Sequence, residues 1–234
     1  MIADAELQRL NAEFETATPN TILRWAAQTY GDKLAVVTSF QPTGIVTLHI
    51  LSQIAPDTPV LTLDTELLFP ETYTLMDDLE KRLNLKLIRV RPALTVEQQA
   101  QQYGAALWQR DPDACCQIRK VAPLGPALAQ YNAWITGLRR DQSGRASTPI
   151  VSWDKKYQKV KICPFANWTE DLMWLYINGH ELPYNALHDR GYPSIGCNTP
   201  ACTQPATEGS ERSGRWVNSQ KTECGIHVTK ENEQ

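Results

Sequence analysis

The chain has 234 residues, 42% hydrophobic and 21% charged, with 23 Lys and Arg against 26 Asp and Glu for a formal net charge of −3. That balance excludes global disorder and a general nucleic-acid coat, and a chain of this length buries enough surface for one or two domains without a covalent staple. Six cysteines are too few for a disulfide scaffold, no basic-then-apolar leader opens the chain, and no apolar run nears the ~18 residues that cross a bilayer; the expectation is a cytoplasmic protein without membrane or nucleic-acid partners.

A polar helical lead over 5–15 comes first. Thr18-Pro19-Asn20 then supplies a cap and a first-turn proline for a helix carrying Ile22, Leu23 and Trp25 that stops near Gly31. Leu34 to Thr38 is a short β-branched strand, and the loop Ser39-Phe40-Gln41-Pro42-Thr43-Gly44 leads into a helix with Ile45, Leu48 and Leu51 at helical spacing. Pro59 to Leu63 repeats the pattern as a strand ending in Asp64-Thr65. Glu71 to Asn84 sets Leu75, Met76, Leu79 and Leu83 on one helical stripe, and Leu85 to Val90 is the third strand. Helices around 96–103 and 116–130 precede the strand Ala133-Trp134-Ile135-Thr136, and Thr169 caps a further helix that Asn178-Gly179 ends. The alternation predicts an α/β fold, a doubly wound, mainly parallel sheet. From Thr203 onward large apolar residues thin to Trp216, Val217, Ile226 and Val228, too few for a core, so this tail docks on the domain or moves.

In such a sheet, ligands bind beyond the carboxyl ends of the strands, where helix N-termini offer free N–H groups. Ser39 to Gly44 and Asp64-Thr65 occupy that position. Between Gly137 and Lys161, seven basic residues (Arg139, Arg140, Arg145, Lys155, Lys156, Lys159, Lys161) face only Asp141 and Asp154, a local +5 that points to an anion; the arginine fork suits phosphate and sulfate, while the lysines alternate along a strand as a solvated face. Cys115-Cys116 with Cys197 and Cys202 make four soft ligands, enough for a [4Fe-4S] cluster or tetrahedral zinc, or else four buried inert thiols. Cys224, on the tail beside Gly225 and three residues before His227, is a thiol on a tether, able to attack a bound substrate and then meet a second thiol.

Jointly, Thr38-Ser39-Phe40, Leu63-Asp64-Thr65 followed by Leu68-Phe69-Pro70-Glu71-Thr72-Tyr73, Cys115-Cys116-Gln117-Ile118-Arg119-Lys120-Val121, Trp134-Ile135-Thr136-Gly137-Leu138-Arg139-Arg140-Asp141-Gln142-Ser143, Tyr192-Pro193-Ser194-Ile195-Gly196-Cys197 and Glu223-Cys224-Gly225-Ile226-His227 resemble the sulfonucleotide reductases, specifically the cluster-containing assimilatory adenylyl-sulfate (APS) reductases. The resemblance implies an adenine-nucleotide α-hydrolase-like fold with a mobile C-terminal redox tail, and reduction of APS to sulfite and AMP with thioredoxin or a similar dithiol. It divides the chain into a lead over 1–18, a nucleotide- and cluster-binding domain over 19–202 and a tail over 203–234, and it suggests a homo-oligomer. Cys224 would be the nucleophile and pass through an S-sulfonate. Cys115, Cys116, Cys197 and Cys202 would hold a [4Fe-4S] cluster. Lys120 would lie between the cluster and the sulfate, with Arg145, Arg212, Arg215 and His227 around the phosphosulfate and Ser39, Phe40, Asp64, Thr65 and Arg139 on the nucleotide.

The chain departs from the family pattern in three places. Four residues separate Cys197 from Cys202 where two are usual, so the loop bulges or one ligand differs; Cys163 has no counterpart and reads as a structural thiol; Glu66 stands where glycine is common. Competing readings are a reductase of the 3′-phosphorylated nucleotide (PAPS) or of both nucleotides, disfavoured by the paired cysteines; an ATP-cleaving adenylyl transferase, which needs a more glycine-rich loop than Ser39 to Gly44; and a metal-stapled binding module with an incidental tail thiol.

Overall fold

The computed structural model describes residues 2–142, 144–206, 212–217, 221 and 223–227. Of the tail expected over 203–234, residues 207–211, 218–220, 222 and 228–234 lie outside the described residues. In chain order the elements are α1 (Asp4–Phe14), α2 (Pro19–Tyr30), β1 (Leu34–Val37), α3 (Pro42–Ile54), β2 (Pro59–Leu63), α4 (Pro70–Arg82), β3 (Lys86–Val90), α5 (Val96–Tyr103), α6 (Leu107–Arg110), α7 (Pro112–Cys116), a π-helical turn (Gln117–Val121), α8 (Ala122–Leu128), β4 (Ala133–Ile135), β5 (Val151–Asp154), β6 (Lys159–Ile162) and α9 (Glu170–Gly179). No helix among them is long and apolar enough to cross a membrane.

The six strands form one sheet in the order β3-β2-β1-β4-β6-β5. Strand β1 pairs in parallel with β2 through Val36 and Val60 and with β4 through Ala35 and Trp134, β4 pairs in parallel with β6, and β5 runs antiparallel to β6. The expected α/β architecture is therefore present, and the strand order reverses at β1. That reversal opens a crevice at the carboxyl ends of β1 and β4.

The chain divides into two units, residues 1–62, 74–88 and 128–185 in the first and residues 63–73, 89–127 and 186–234 in the second. The first has the sheet core. Leu34, Ala35, Val36, Trp134 and Ile135 are at most 1% exposed. Helix α3 is buried well beyond the expected Ile45, Leu48, Leu51 stripe, with Val46, Thr47 and Ile50 also inside, as befits a helix packed against both α2 and α9. The helix starts follow their caps: Thr18 accepts from the Thr21 amide with Pro19 in the first turn of α2, and Thr169 accepts from the Leu172 amide at α9. Asn11 of α1 fixes the lead to β5, donating to the Val151 carbonyl at 2.7 Å and accepting from the Ile150 and Val151 amides, which covers part of the sheet's edge.

Two expectations change. The hairpin partner β5 has no counterpart among the strands read from the sequence. The helix expected over 116–130 is α7, a π-turn and α8 in succession: the Ala122 amide reaches back five residues to the Gln117 carbonyl, immediately before Pro123, which has no N–H to continue an ordinary ladder.

Candidate functional site

In the first unit the loop Thr38–Gln41 joins β1 to α3 at the crevice. Thr38 Oγ1 accepts from the Phe40 amide at 3.0 Å, and Phe40 is buried with a left-handed backbone, which shapes the loop. Ser39 is exposed at the end of β1, and Pro42 to Gly44 are already the first turn of α3, so the connection is shorter than expected. The start of α3 offers the donors that suit a phosphate. Glycine suits the Gly44 position, where a Cβ would stand 2.2 Å from Thr38 Oγ1, and after β4 a Cβ at Gly137 would come within a tight 3.1 Å of Thr43 Cβ.

The arginines of the basic segment are mostly used internally. Arg139 is 1% exposed, donates to Thr43 Oγ1 at 2.7 Å and pairs with both oxygens of Asp141 at 2.9 and 3.3 Å. Asp141 also accepts from the Glu170 amide at 2.7 Å, so one carboxylate joins the β4 loop to the start of α9. Arg140 pairs with Glu15. Arg145 is partly buried and, with Lys161 and Arg140, bears electrostatically on Cys163, whose thiol burial pushes up to about 11. Cys163 is fully buried in this unit, as expected of a structural thiol.

The second unit carries the other cysteines. Asp111 caps α7 through the Ala114 amide, with Pro112 in the first turn, and places Cys115 and Cys116 in its last turn. Cys197 bridges to Leu68, and the four residues after it close as a turn, Cys202 N–H donating to the Thr199 carbonyl at 2.9 Å, so that Cys197 and Cys202 enter one apolar cluster with Trp216, Leu67, Trp108 and Cys224. The residues between Cys197 and Cys202 thus form a turn. Cys115, Cys116, Cys197 and Cys202 are 5–6% exposed. Burial raises the first two and Cys202, Cys116 to about 12; burial works the same way on Cys197, but Lys120, the Thr65 hydroxyl and Arg215 outweigh it and hold that thiol below its ordinary value.

The described parts of the tail are docked on this unit. Trp216 is 2% exposed and lies beneath three cations, Arg215 at 4.5 Å, Arg212 at 5.3 Å and Lys221 at 5.5 Å from its ring. Arg215 donates to the Cys202 carbonyl at 2.8 Å and to Ser194 Oγ at 3.2 Å. Arg212 pairs with Glu223 at 3.7 Å, and Lys221 pairs with Asp113, which tie both sides of Cys224. Cys224 and His227 are partly buried. Burial opposes the charge of Lys120, but the thiols of Cys197, Cys116 and Cys224 outweigh it and raise its pKa; burial and Arg212 lower that of Arg215, opposed by Cys197, Cys224 and Cys202. Two cations therefore bear on the tail thiol.

Asp64 is buried and fully engaged: Oδ1 accepts from Tyr73 at 2.7 Å and from the Glu66 amide at 3.1 Å, Oδ2 from Arg91 at 3.1 Å. It shapes the loop that carries Thr65. Glu66 takes the left-handed conformation, φ 57°, which explains why glycine suits this position. Its carboxylate pairs with Arg119, a buried residue within the cysteine motif to which the sequence reading gave no role. Its only sequence signal was its place four residues after Cys115, on the same helical face.

Among the described residues, no three His, Cys, Asp or Glu side chains are grouped to hold a single metal ion. The donor chemistry of the four buried thiols nevertheless fits an iron–sulfur cluster, which spreads its ligands over several irons: Cys197 bears electrostatically on each of Cys115, Cys116 and Cys202.

The family model for the phosphoadenosine phosphosulfate reductase domain matches residues 33–205. The chain is 50% identical over 234 residues to the adenosine 5′-phosphosulfate reductase of Salinibacter ruber, covering 99% of this chain and 92% of that protein, and 47% identical over 224 residues to that of Halalkalibacterium halodurans, covering 94% and 96%. The crystal structure of phosphoadenylyl-sulfate (PAPS) reductase from Candida auris, a phosphate complex, matches with a TM-score of 0.77 at 30% identity over 84% of this chain and 96% of that one. Candida glabrata FMN adenylyltransferase, at 14% identity over 94% of this chain and 76% of that one and a TM-score of 0.56, shares the fold alone. With a matched domain that spans most of its length and relatives this similar, the chain belongs to the phosphoadenosine phosphosulfate reductase family.

Proposed function

We propose that the protein reduces APS to sulfite and AMP through a Cys224 S-sulfonate. The observation that carries this reading is the tail thiol held by flanking ion pairs and under the field of Lys120 and Arg215. A thiolate attacking an anion meets charge repulsion, and cations at the sulfonate offset it. In the first step Cys224 Sγ attacks the sulfur, the S–O bond to the phosphate breaks, and AMP leaves with that electron pair. In the second, a thiol of a thioredoxin-type partner attacks Cys224 Sγ and sulfite leaves with the electrons of the S–S bond. The partner's other thiol then opens the mixed disulfide, which returns Cys224 as a thiol and the partner as a disulfide.

Cys115, Cys116, Cys197 and Cys202 would hold a [4Fe-4S] cluster. When bound, such a group ties the two cysteine pairs into one frame and adds its own charge to the surroundings of Lys120. Arg145, Arg212 and His227 are assigned to the phosphosulfate, and the start of α3 with Ser39 to the nucleotide. A reducing, cytoplasmic compartment is the reading that the free thiols of the described residues and the dependence on a dithiol support.

Mass spectrometry after mixing the protein with APS in the absence of reductant tests the proposal. The expected result is one SO₃ added to the peptide containing Cys224; an adduct elsewhere, or none, overturns it. The same experiment with PAPS measures nucleotide preference, and faster labelling by PAPS would move the assignment to that substrate.

A further inference from the structure

Arg119 is 1% exposed, and a buried guanidinium is costly unless its donors are matched. Its partners are unusually informative. Nε donates to the Thr65 carbonyl at 2.7 Å, Nη2 to Glu66 at 2.8 Å, and Nη1 to the side-chain carbonyl of Gln99 at 3.0 Å. Gln99, itself 2% exposed on α5, turns its amide N–H to Cys115 Sγ at 3.8 Å. On the other side, Thr65 Oγ1 accepts from the Leu67 amide at 3.3 Å, which leaves its hydroxyl proton for Cys197 Sγ at 3.4 Å.

One hydrogen-bonded chain thus runs from one cysteine pair to the other: Cys115, Gln99, Arg119, Thr65, Cys197. The amide dipole explains its direction. With its carbonyl held by a cation, Gln99 can present only its N–H to the sulfur, and the positive charge of Arg119 polarises that donor. Leucine or methionine would fill the same buried volume on α5 without a partner to satisfy, so packing alone does not call for glutamine here.

We propose that Gln99, oriented by Arg119, is a positioning residue for the cysteine set: it fixes the Cys115 side chain, donates to its sulfur once the thiol is a ligand, and so sets the potential and retention of the bound cluster. This rests on the [4Fe-4S] reading given above. Groups that hold a metal ligand in place typically cost about ten- to a hundredfold in metal affinity when removed, and hydrogen bonds to ligand sulfur raise a cluster's reduction potential by stabilising the reduced, more negative form.

The test uses the full-length, cluster-loaded protein with Gln99→Met, which keeps volume and loses both hydrogen bonds, and Gln99→Glu, which keeps the acceptor for Arg119 and loses the donor to Cys115. Iron and acid-labile sulfide are followed during chelator challenge, and the midpoint potential by redox titration. Both variants are expected to lose iron about ten- to a hundredfold faster and to shift to lower potential, Gln99→Met without any added charge. Wild-type iron retention and potential in the variants overturn the role of Gln99 alone. Wild-type protein that binds no iron and sulfide overturns the cluster, and with it this inference. Should Gln99→Met fail to fold, the Gln99→Glu potential and retention decide.

Discussion

Arg139 in the first unit and the pair Lys120 and Arg215 in the second are cations in contrasting settings. In the first, Arg139 is matched by the carboxylate of Asp141, which also accepts from the Glu170 amide, so the pair is a structural joint between the β4 loop and α9. In the second, Lys120 and Arg215 face thiols, whose negative charge is conditional on deprotonation, on metal ligation or on reaction. A cation beside a carboxylate is neutralised before substrate arrives; one beside a thiol keeps its field for chemistry. Within the 137–161 segment, Arg139 and Arg140 are thus paired with carboxylates of the protein itself.

The sharpest way to break this contrast is Cys224→Ser. Turnover is expected to fall by roughly four orders of magnitude, measured as sulfite release, while iron content and nucleotide binding stay near wild type; loss of iron would make Cys224 a ligand and remove the nucleophile from the scheme. Next comes Lys120→Met, expected to lower kcat by about 10²- to 10³-fold in steady-state assays. Should it chiefly destabilise the fold and spare kcat, Lys120 would belong with Arg139 as a structural cation.

The complementary experiment is Asp141→Asn, which leaves Arg139 buried without its counter-charge. We expect about 3 kcal/mol of lost stability by denaturant unfolding, and the double change Arg139→Met with Asp141→Leu to recover much of it. An unchanged midpoint would show that the other partners of Arg139, Thr43 among them, suffice to hold it. The smallest effect concerns Asp64. Burial raises its pKa, but the Tyr73 hydroxyl, the Glu66 amide and Arg91 outweigh it, and the folded value lies below the ordinary 3.8. Its contribution, about 1 kcal/mol for charge-assisted bonds of this kind, is present above that pH and is lost as pH falls through the folded pKa. Unfolding curves for wild type and Asp64→Asn should differ at neutral pH and converge in strong acid; a gap that persists there would assign the effect to packing.

Much of the secondary structure was legible because its signals are local. Thr18 with Pro19, Thr169 with its acidic first turn, and the β-branched runs at Leu34 and Pro59 mark elements whose ends the structure reproduces closely. Strand β5 escaped because four residues, Val-Ser-Trp-Asp, carry too little periodicity, and its place is decided by pairing with β6 and by Asn11. The single helix expected over 116–130 was misread since a π-turn leaves helical periodicity almost intact. For the site, Cys115, Cys116, Cys197, Cys202 and Cys224 stood out as rare residues in a specific arrangement. Phe40 and Asp64 stood out equally, but that Phe40 is buried and that the Asp64 carboxylate accepts from Tyr73 and Arg91 only the structure shows.

By itself the sequence determined the alternation of strands and helices, the reactive residue types and the family, because caps, periodicity and motif spacing are written in neighbouring positions. Tertiary structure alone decided which charges are spent and which remain in play. Whether an arginine meets a carboxylate or a thiol, or a glutamine reaches a sulfur, depends on segments tens of residues apart arriving together, and desolvation there turns the identity of one neighbour into the difference between a joint and a site.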